Sequence, residues 1–272
     1  MITFPKAKIN LGLRVIRKRP DGFHDIETVF YPLDFCDALE FVVGPKDSTE
    51  DTIVVTGYNI NTKPENNLVI KALRTLRQHY SLPFFRIHLH KAIPSGAGLG
   101  GGSSDAVYIM KTINKYFNLS IDDEMLNHLA LELGSDCPFF INPQPSLARG
   151  RGEILKPLDP FLSGYRIVLL NPQIRISTRE AYLNTKLSDT SEGLEKLIKQ
   201  DPTTWKEGLV NDFEDFAFRV YPQLLEYKKS LYRAEAMYAS MSGSGSSIYG
   251  IFKEKPEIPA EIKEFIIYEG VL

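Results

Sequence analysis

What the chain lacks narrows its chemistry first. Its 272 residues carry no basic excess: 32 Lys and Arg stand against 34 Asp and Glu, a formal net charge of -2 at pH 7. Holding a polyanion by bulk charge needs such an excess, so no nucleic-acid partner is expected. Cysteine is scarce. Cys36 and Cys137 stand far apart in no CxxC pair, which argues against a disulfide framework or a zinc ribbon and suits a reducing, cytoplasmic compartment. No apolar run approaches the roughly 18 residues of a membrane span. The opening MITFPKAKIN meets a proline and two lysines before any apolar stretch, so neither a secretory signal nor a membrane partner is expected. No repeat or low-complexity tract is visible.

What is present fits one large domain or two modest ones. Ile9, Leu11, Leu13 and Val15 alternate with Asn10, Gly12 and Arg14, the period of a half-buried strand, and Pro20, Asp21 and Gly22 supply a turn after it. Further strands are predicted near 26–31, 38–43, 53–56 and 85–89. Val69, Ala72, Leu73, Leu76 and Tyr80 share one helical face after Asn66 and Asn67, and a second helix is predicted to begin near Ser104. Ser120 with Asp123 resembles a capping box for a third, which Gly134 is placed to end. Residues 141–164 are dense in Pro and Gly, so the domain boundary is expected between about 150 and 165, dividing the chain into 1–155 and 160–272. Beyond it come the strand YRIVLL, a helix near 222–231, a strand near 235–239 and the strand IYGIF. Strands and helices do not alternate regularly, which predicts an α+β fold.

The strongest local signal is PSGAGLGGGSSDA. Pro94, Ser95, Gly96, Ala97, Gly98, Leu99, Gly100, Gly101, Gly102, Ser103 and Ser104 lie between a predicted strand and a predicted helix. Glycine lets backbone N–H groups close around an anion, and a helix N-terminus adds its positive end, so a di- or triphosphate is the natural occupant. The plain alternative is a flexible loop. Gly96, Gly98 and Gly101 match G-x-G-x-x-G literally, but Asp122, about where a dinucleotide fold keeps its ribose partner, lies in a helix cap. No GK[ST] closes the loop as in a Walker motif. The two serines can cap the helix or meet a metal ion and phosphate oxygens.

Lys8 puts a charge on the first strand, and Asp136 follows a helix end in GSDCPFF. Each alone reads as a solvated or capping residue. Beside a phosphate loop they form a pair suited to activating a hydroxyl, the carboxylate taking its proton and the cation steadying developing charge. His88 and His90 share a strand face without a third metal ligand spaced to join them, so a structural role is expected. Arg149, Arg151 and Glu153 are expected to be structural, with a supporting role in an active site left open. MSGSGSS, with Ser242–Ser247, lies between two predicted strands and reads as a hairpin turn.

KAKINLGL, PSGAGLGGGSSDA and MSGSGSS resemble, in order and spacing, the three motifs of the GHMP superfamily, named for galactokinase, homoserine kinase, mevalonate kinase and phosphomevalonate kinase. Within it, the segment from Pro5 to Phe30, with its DGFH, and GSDCPFF resemble the kinases of 4-diphosphocytidyl-2-C-methyl-D-erythritol, which act in the non-mevalonate isoprenoid pathway. The resemblance implies a two-domain fold, the first domain like ribosomal protein S5 and the second ferredoxin-like, with ATP and the acceptor meeting between them. It implies Lys8 and Asp136 as the catalytic pair, Pro94 to Ser104 as the ATP loop, and Mg²⁺ with ATP, its protein ligands unassigned. Asn10 would support Lys8, Asn67 would lie near the adenine, and Ser242–Ser247 would line the substrate cleft between the domains. Phe23 and Tyr182 would sandwich the cytosine of the small-molecule acceptor while His24 reads its edge; Phe23 stands where this motif more usually has tyrosine. Other readings are a mevalonate or homoserine kinase type, against which DGFH and GSDCPFF argue, and a nucleotide-binding module without catalysis. Oligomeric state is not assigned.

Overall fold

The computed structural model describes residues 1–60, 62–188 and 193–272. The chain forms two compact units that interleave along the sequence. Met1–Lys8, Leu33–Ser95 and Gly100–Pro143 make the first; Ile9–Pro32, Gly96–Leu99 and Gln144–Leu272 make the second. The break expected at 150–165 falls inside the second unit.

In the first unit, β1 (Ile2–Thr3), β4 (Ala38–Val43), β5 (Thr52–Gly57) and β6 (Phe85–Lys91) form a sheet ordered β1-β4-β6-β5. β5 and β6 run parallel, which requires a crossover, and α1 (Leu68–Arg77) provides it. β6 alternates strictly, Phe85, Ile87 and Leu89 inward against exposed Arg86, His88 and His90. Helices α2 (Gly101–Phe117) and α3 (Asp123–Leu133) pack with α1, burying Leu73, Leu76, Val107, Met110 and Leu129. Two helix starts differ from expectation. α2 begins at Gly101 rather than near Ser104, because Gly100 adopts a left-handed conformation that lets the helix open at once. Ser120 has φ +55° and does not cap α3; the Asp122 carboxylate does, accepting the Met125 N–H at 2.8 Å.

A second sheet is ordered β2-β3-β7-β8, from β2 (Lys6–Lys18), β3 (His24–Cys36), β7 (Ser146–Arg149) and β8 (Ile154–Pro157). The β7–β8 hairpin occupies the Pro- and Gly-rich segment read as a boundary. β2 was expected to be half-buried, yet every residue from Ala7 to Val15 is buried. Within the second unit its polar positions are partnered: Asn10 Nδ2 donates to Thr28 Oγ1 at 3.0 Å and Arg14 to the Gly208 carbonyl at 3.4 Å.

The third sheet is antiparallel and belongs to the second unit, ordered β10-β11-β9-β12 from β9 (Arg166–Leu170), β10 (Tyr238–Met241), β11 (Ile248–Phe252) and β12 (Ile266–Val271). β10 starts later than the strand expected at 235–239, since Glu235 takes φ +68° in the preceding turn. Short helices α4 (Thr178–Asn184), α5 (Leu194–Leu197), α6 (Trp205–Gly208), α7 (Glu214–Val220) and α9 (Ala260–Lys263) and the longer α8 (Pro222–Arg233) complete the unit. Its core joins Leu13, Val15 and Ile26 to Val168, Leu170, Phe213, Leu224, Leu231, Met241 and Ile262.

Candidate active site

The first unit holds the ionisable pair. Lys8, on β2, places Nζ 3.5 Å from Asp136 Oδ2, in the turn after α3. Burial lowers the Lys8 pKa, and the Asp136 carboxylate opposes that shift. Gly100 packs directly on the pair's lysine. A Cβ there would stand 2.7 Å from Phe140 Cζ and 3.2 Å from Lys8 Cε, so bulk as well as φ +70° requires glycine.

The first turn of α2 follows. Ser103 hydrogen-bonds the Cys137 thiol, whose pKa burial pushes up to about 12. Ser104 Oγ is buried with no hydrogen-bond partner among the described residues. Beneath this turn Lys91 Nζ donates to Asp37 and, at 2.7 Å, to Asp105, while Asp37 Oδ1 accepts the N–H groups of Ala92 and Ile93 at 2.7 and 2.8 Å. A Cβ on Gly101 would lie 3.1 Å from Lys91 Nζ. The cluster therefore ties the end of β6, where the glycine loop begins, to the helix where it finishes. Asn67 lines a separate cavity of about 250 Å³ with Ile53, Val55, Tyr58 and Pro64. Its Oδ1 caps α1 by accepting the Val69 N–H at 2.9 Å.

Along the loop, Pro94, Ala97 and Leu99 are buried and Ser95 and Gly96 exposed. Gly96, Gly98 and Gly100 have φ of +68°, +80° and +70°, whereas Gly101 and Gly102 are helical. A Cβ on Gly96 would meet nothing within 4 Å; on Gly98 it would fall 1.9 Å from the Ser242 carbonyl oxygen. That second contact brings MSGSGSS to the loop within the second unit. Ser242 Oγ donates to the Gly98 carbonyl at 2.8 Å and accepts the Asn10 N–H at 3.2 Å. The segment therefore closes the antiparallel β10–β11 hairpin, as its turn reading expected, and also packs on the glycine loop.

The DGFH aromatics also lie in the second unit. The His24 ring is parallel to Tyr182, centroids 4.7 Å apart at 16°, and Phe213 meets Tyr182 at 4.9 Å and 86°. Phe23, half exposed, has the Arg151 guanidinium 4.7 Å from its centroid. The pair stacked here is thus His24 with Tyr182, and Phe23 stacks under an arginine. Burial, with Lys18 nearby, lowers the His24 pKa. Arg149 is bonded to Glu27 at 2.8 Å, and the Arg151 N–H donates to Glu153 at 2.5 Å. His88 and His90 both share the Thr56 hydroxyl at 3.0 Å, and among the described residues no group of three or more His, Cys, Asp or Glu could hold a metal ion. Sequence reasoning missed Asn211 and the Lys91–Asp37–Asp105 cluster.

Residues 67–143 match the family model described as GHMP kinases N terminal domain, and 194–267 that of GHMP kinases C terminal. The chain is 49% identical over 272 residues, all of both chains, to 4-diphosphocytidyl-2-C-methyl-D-erythritol kinase of Azobacteroides pseudotrichonymphae. It is 47% identical over 259 residues to the same-named protein of Bacteroides thetaiotaomicron, covering 95% of this chain and 94% of that one. A crystal structure of 4-(cytidine 5'-diphospho)-2C-methyl-D-erythritol kinase superposes with a TM-score of 0.74 at 31% identity, covering 92% and 90%. Mevalonate kinase of Methanococcus jannaschii, at 14% identity and a TM-score of 0.66 with 97% and 92% covered, shares the fold alone. Identity of this extent along the whole chain, joined to both GHMP domains, means that the chain belongs to the 4-diphosphocytidyl-2-C-methyl-D-erythritol kinase family of GHMP kinases.

Proposed function

We propose that this chain is an ATP-dependent small-molecule kinase acting in the non-mevalonate isoprenoid pathway, where it phosphorylates the 2-hydroxyl of the methylerythritol moiety of 4-diphosphocytidyl-2-C-methyl-D-erythritol. The observation that carries the reading is the Lys8–Asp136 pair at 3.5 Å, beside a glycine of the loop, in a chain of this family. Asp136 takes the hydroxyl proton as the oxygen forms its bond to the γ-phosphorus and the bond to the ADP oxygen breaks. Lys8 favours the developing alkoxide and steadies charge on the moving phosphoryl group. Such a pair speaks against a nucleotide-binding module without catalysis.

The exposed Ser95–Gly96 stretch and the first turn of α2 receive the ATP phosphates, and the Asn67 cavity receives the adenine. A bound Mg²⁺ would supply neutralising charge to the ATP phosphates. The buried, unpartnered Ser104 hydroxyl fits the oxygen chemistry that ion prefers and is its candidate protein ligand. Asn10 supports the phosphoryl end; Phe23, His24 and Tyr182 receive the cytosine. No described helix is long and apolar enough to cross a membrane.

Turnover is to be measured with ATP and each of cytidine diphosphate methylerythritol, mevalonate and homoserine. The cytidine compound alone should be phosphorylated; turnover of either other acceptor in its place would remove the reading.

A further inference from the structure

Between α6 and α7, residues Val210–Phe213 run beside the outer edge of β2. Leu13 and Asn211 form a parallel bridge; the Leu13 N–H donates to the Val210 carbonyl at 2.9 Å and the Asp212 N–H to the Leu13 carbonyl at 2.8 Å. The Asp212 carboxylate then accepts the Val15 N–H at 2.7 Å. This short bracket covers a strand edge that would otherwise keep unpaired backbone groups.

Asn211 reaches from the bracket into the third glycine segment. It is 1% exposed, and its Nδ2 donates to the carbonyls of Met241 and Gly243, both at 2.8 Å. Its Oδ1 accepts the Phe213 N–H at 3.0 Å. Gly243 and Gly245 both have positive φ, +55° and +91°, so this backbone has little stiffness of its own and needs an outside brace. A planar amide with two N–H groups at a fixed angle provides one, pinning the turn at its entry and at its apex. The apex is where position matters: a Cβ on Gly243 would lie 3.2 Å from Asn10 Oδ1 and 3.4 Å from Gly98 Cα. In the other direction, the residue bonded to Oδ1 is the one whose ring meets the edge or face of Tyr182.

We propose that Asn211 is a positioning residue that sets, with one side chain, both the height of the 242–245 glycine turn against Asn10 and Gly98 and the seat of the Phe213 ring behind Tyr182. It serves the phosphoryl end through Nδ2 and the cytosine end through Oδ1. The inference rests on the kinase reading given above.

Three variants test it against wild type, each assayed for Tm, kcat and both KM values from pH 6 to 8.5. Asn211→Asp keeps the acceptor for the Phe213 N–H, loses both donors and sets a carboxylate against two carbonyls. Its kcat at pH 8.5 should fall roughly 10- to 100-fold, the scale of a small misplacement of reacting groups. Its kcat relative to wild type should recover toward pH 6, since a protonated acid regains one donor. Burial and the adjoining Asp212 and Glu214 carboxylates raise the pKa of an acid there, against the opposing charges of Arg14 and of Lys228, which pairs with Glu214 at 2.6 Å. Asn211→Ala should lose kcat with no such recovery. Phe213→Leu leaves the backbone bond in place and should raise KM for the acceptor, not for ATP.

A folded Asn211→Asp enzyme with kcat within about twofold of wild type, or with no recovery at low pH, overturns the nucleotide arm. An unchanged acceptor KM in Phe213→Leu overturns the acceptor arm. Loss of fold in both Asn211 variants assigns the residue to stability alone and overturns the proposal. Wild type that ignores the cytidine acceptor would instead remove the underlying reading.

Discussion

Lys8 and Asp136 are 3.5 Å apart in unlike surroundings: the lysine side chain is 4% exposed, the aspartate side chain 36%. The buried member carries the unfavourable solvation, and the open member is the one that solvent reaches.

That asymmetry predicts opposite effects on stability and rate. The folded-state pKa of Lys8 lies below its value of 10.5, so between the two the unfolded chain holds more protons and stability rises with pH. A charged Lys8 therefore counts against folding, and Lys8→Met should melt above wild type while losing kcat. Asp136→Asn should lower turnover about 10²- to 10⁴-fold with ATP still bound. Wild-type kcat in either variant would take that residue out of the reaction.

The glycine loop offers a paired contrast. Gly96→Val puts its side chain into open space at φ +68°, a local strain of about 1–2 kcal/mol. ATP affinity should collapse in calorimetry with a modest fall in Tm. Gly98→Ala collides with the Ser242 carbonyl and should lose much more stability. Unaltered ATP affinity in Gly96→Val would show that no phosphate lies there.

Tyr182→Ala should weaken acceptor binding by about 1–3 kcal/mol, one base stack, and leave the KM for ATP nearly unchanged. It also uncovers the ring of His24, whose pKa burial lowers, so the imidazole should titrate closer to 6.5 by NMR. A loss confined to ATP would take the aromatic cluster away from the acceptor.

Asp105 carries a pH signature of its own. Burial outweighs the Lys91 ammonium beside it and raises its carboxyl from 3.8 to about 7. Between those values the native state holds more protons than the unfolded one, so this contribution to stability is full below about 3.8 and fades as pH rises through about 7. The difference in Tm between wild type and Asp105→Asn should shift across that window. Parallel profiles would mean that Asp105 is ionised throughout.

Sequence reading reached the elements whose pattern is local. β6 alternates as its residues say, and α1 starts at its asparagine cap. It went astray where distant partners change the environment: Asn10 and Arg14 look solvated until Thr28 and the Gly208 carbonyl are beside them. The β7–β8 hairpin hides among prolines and glycines because turn chemistry and boundary chemistry use the same residues. Five glycines between a strand and a helix could be read as a loop, but not which three take positive φ. Lys91 and Asp37, 54 residues apart, and Asn211 and Gly243, 32 apart, carry no spacing signal, since only the folded backbone makes them neighbours.

The interleaving of the two units has a consequence for the order of synthesis. A ribosome extrudes β2 early, with Leu13, Val15 and Ile26 ready for burial, but the residues that cover them run from Val168 to Ile262. The first unit is complete once Pro143 has emerged, while the second cannot close until nearly the whole chain is out. Its sealing is the late, non-local event of folding. A nascent chain halted after residue 155 would display that apolar strip with no cover and should be recovered as aggregate, even though its other unit has every segment it needs.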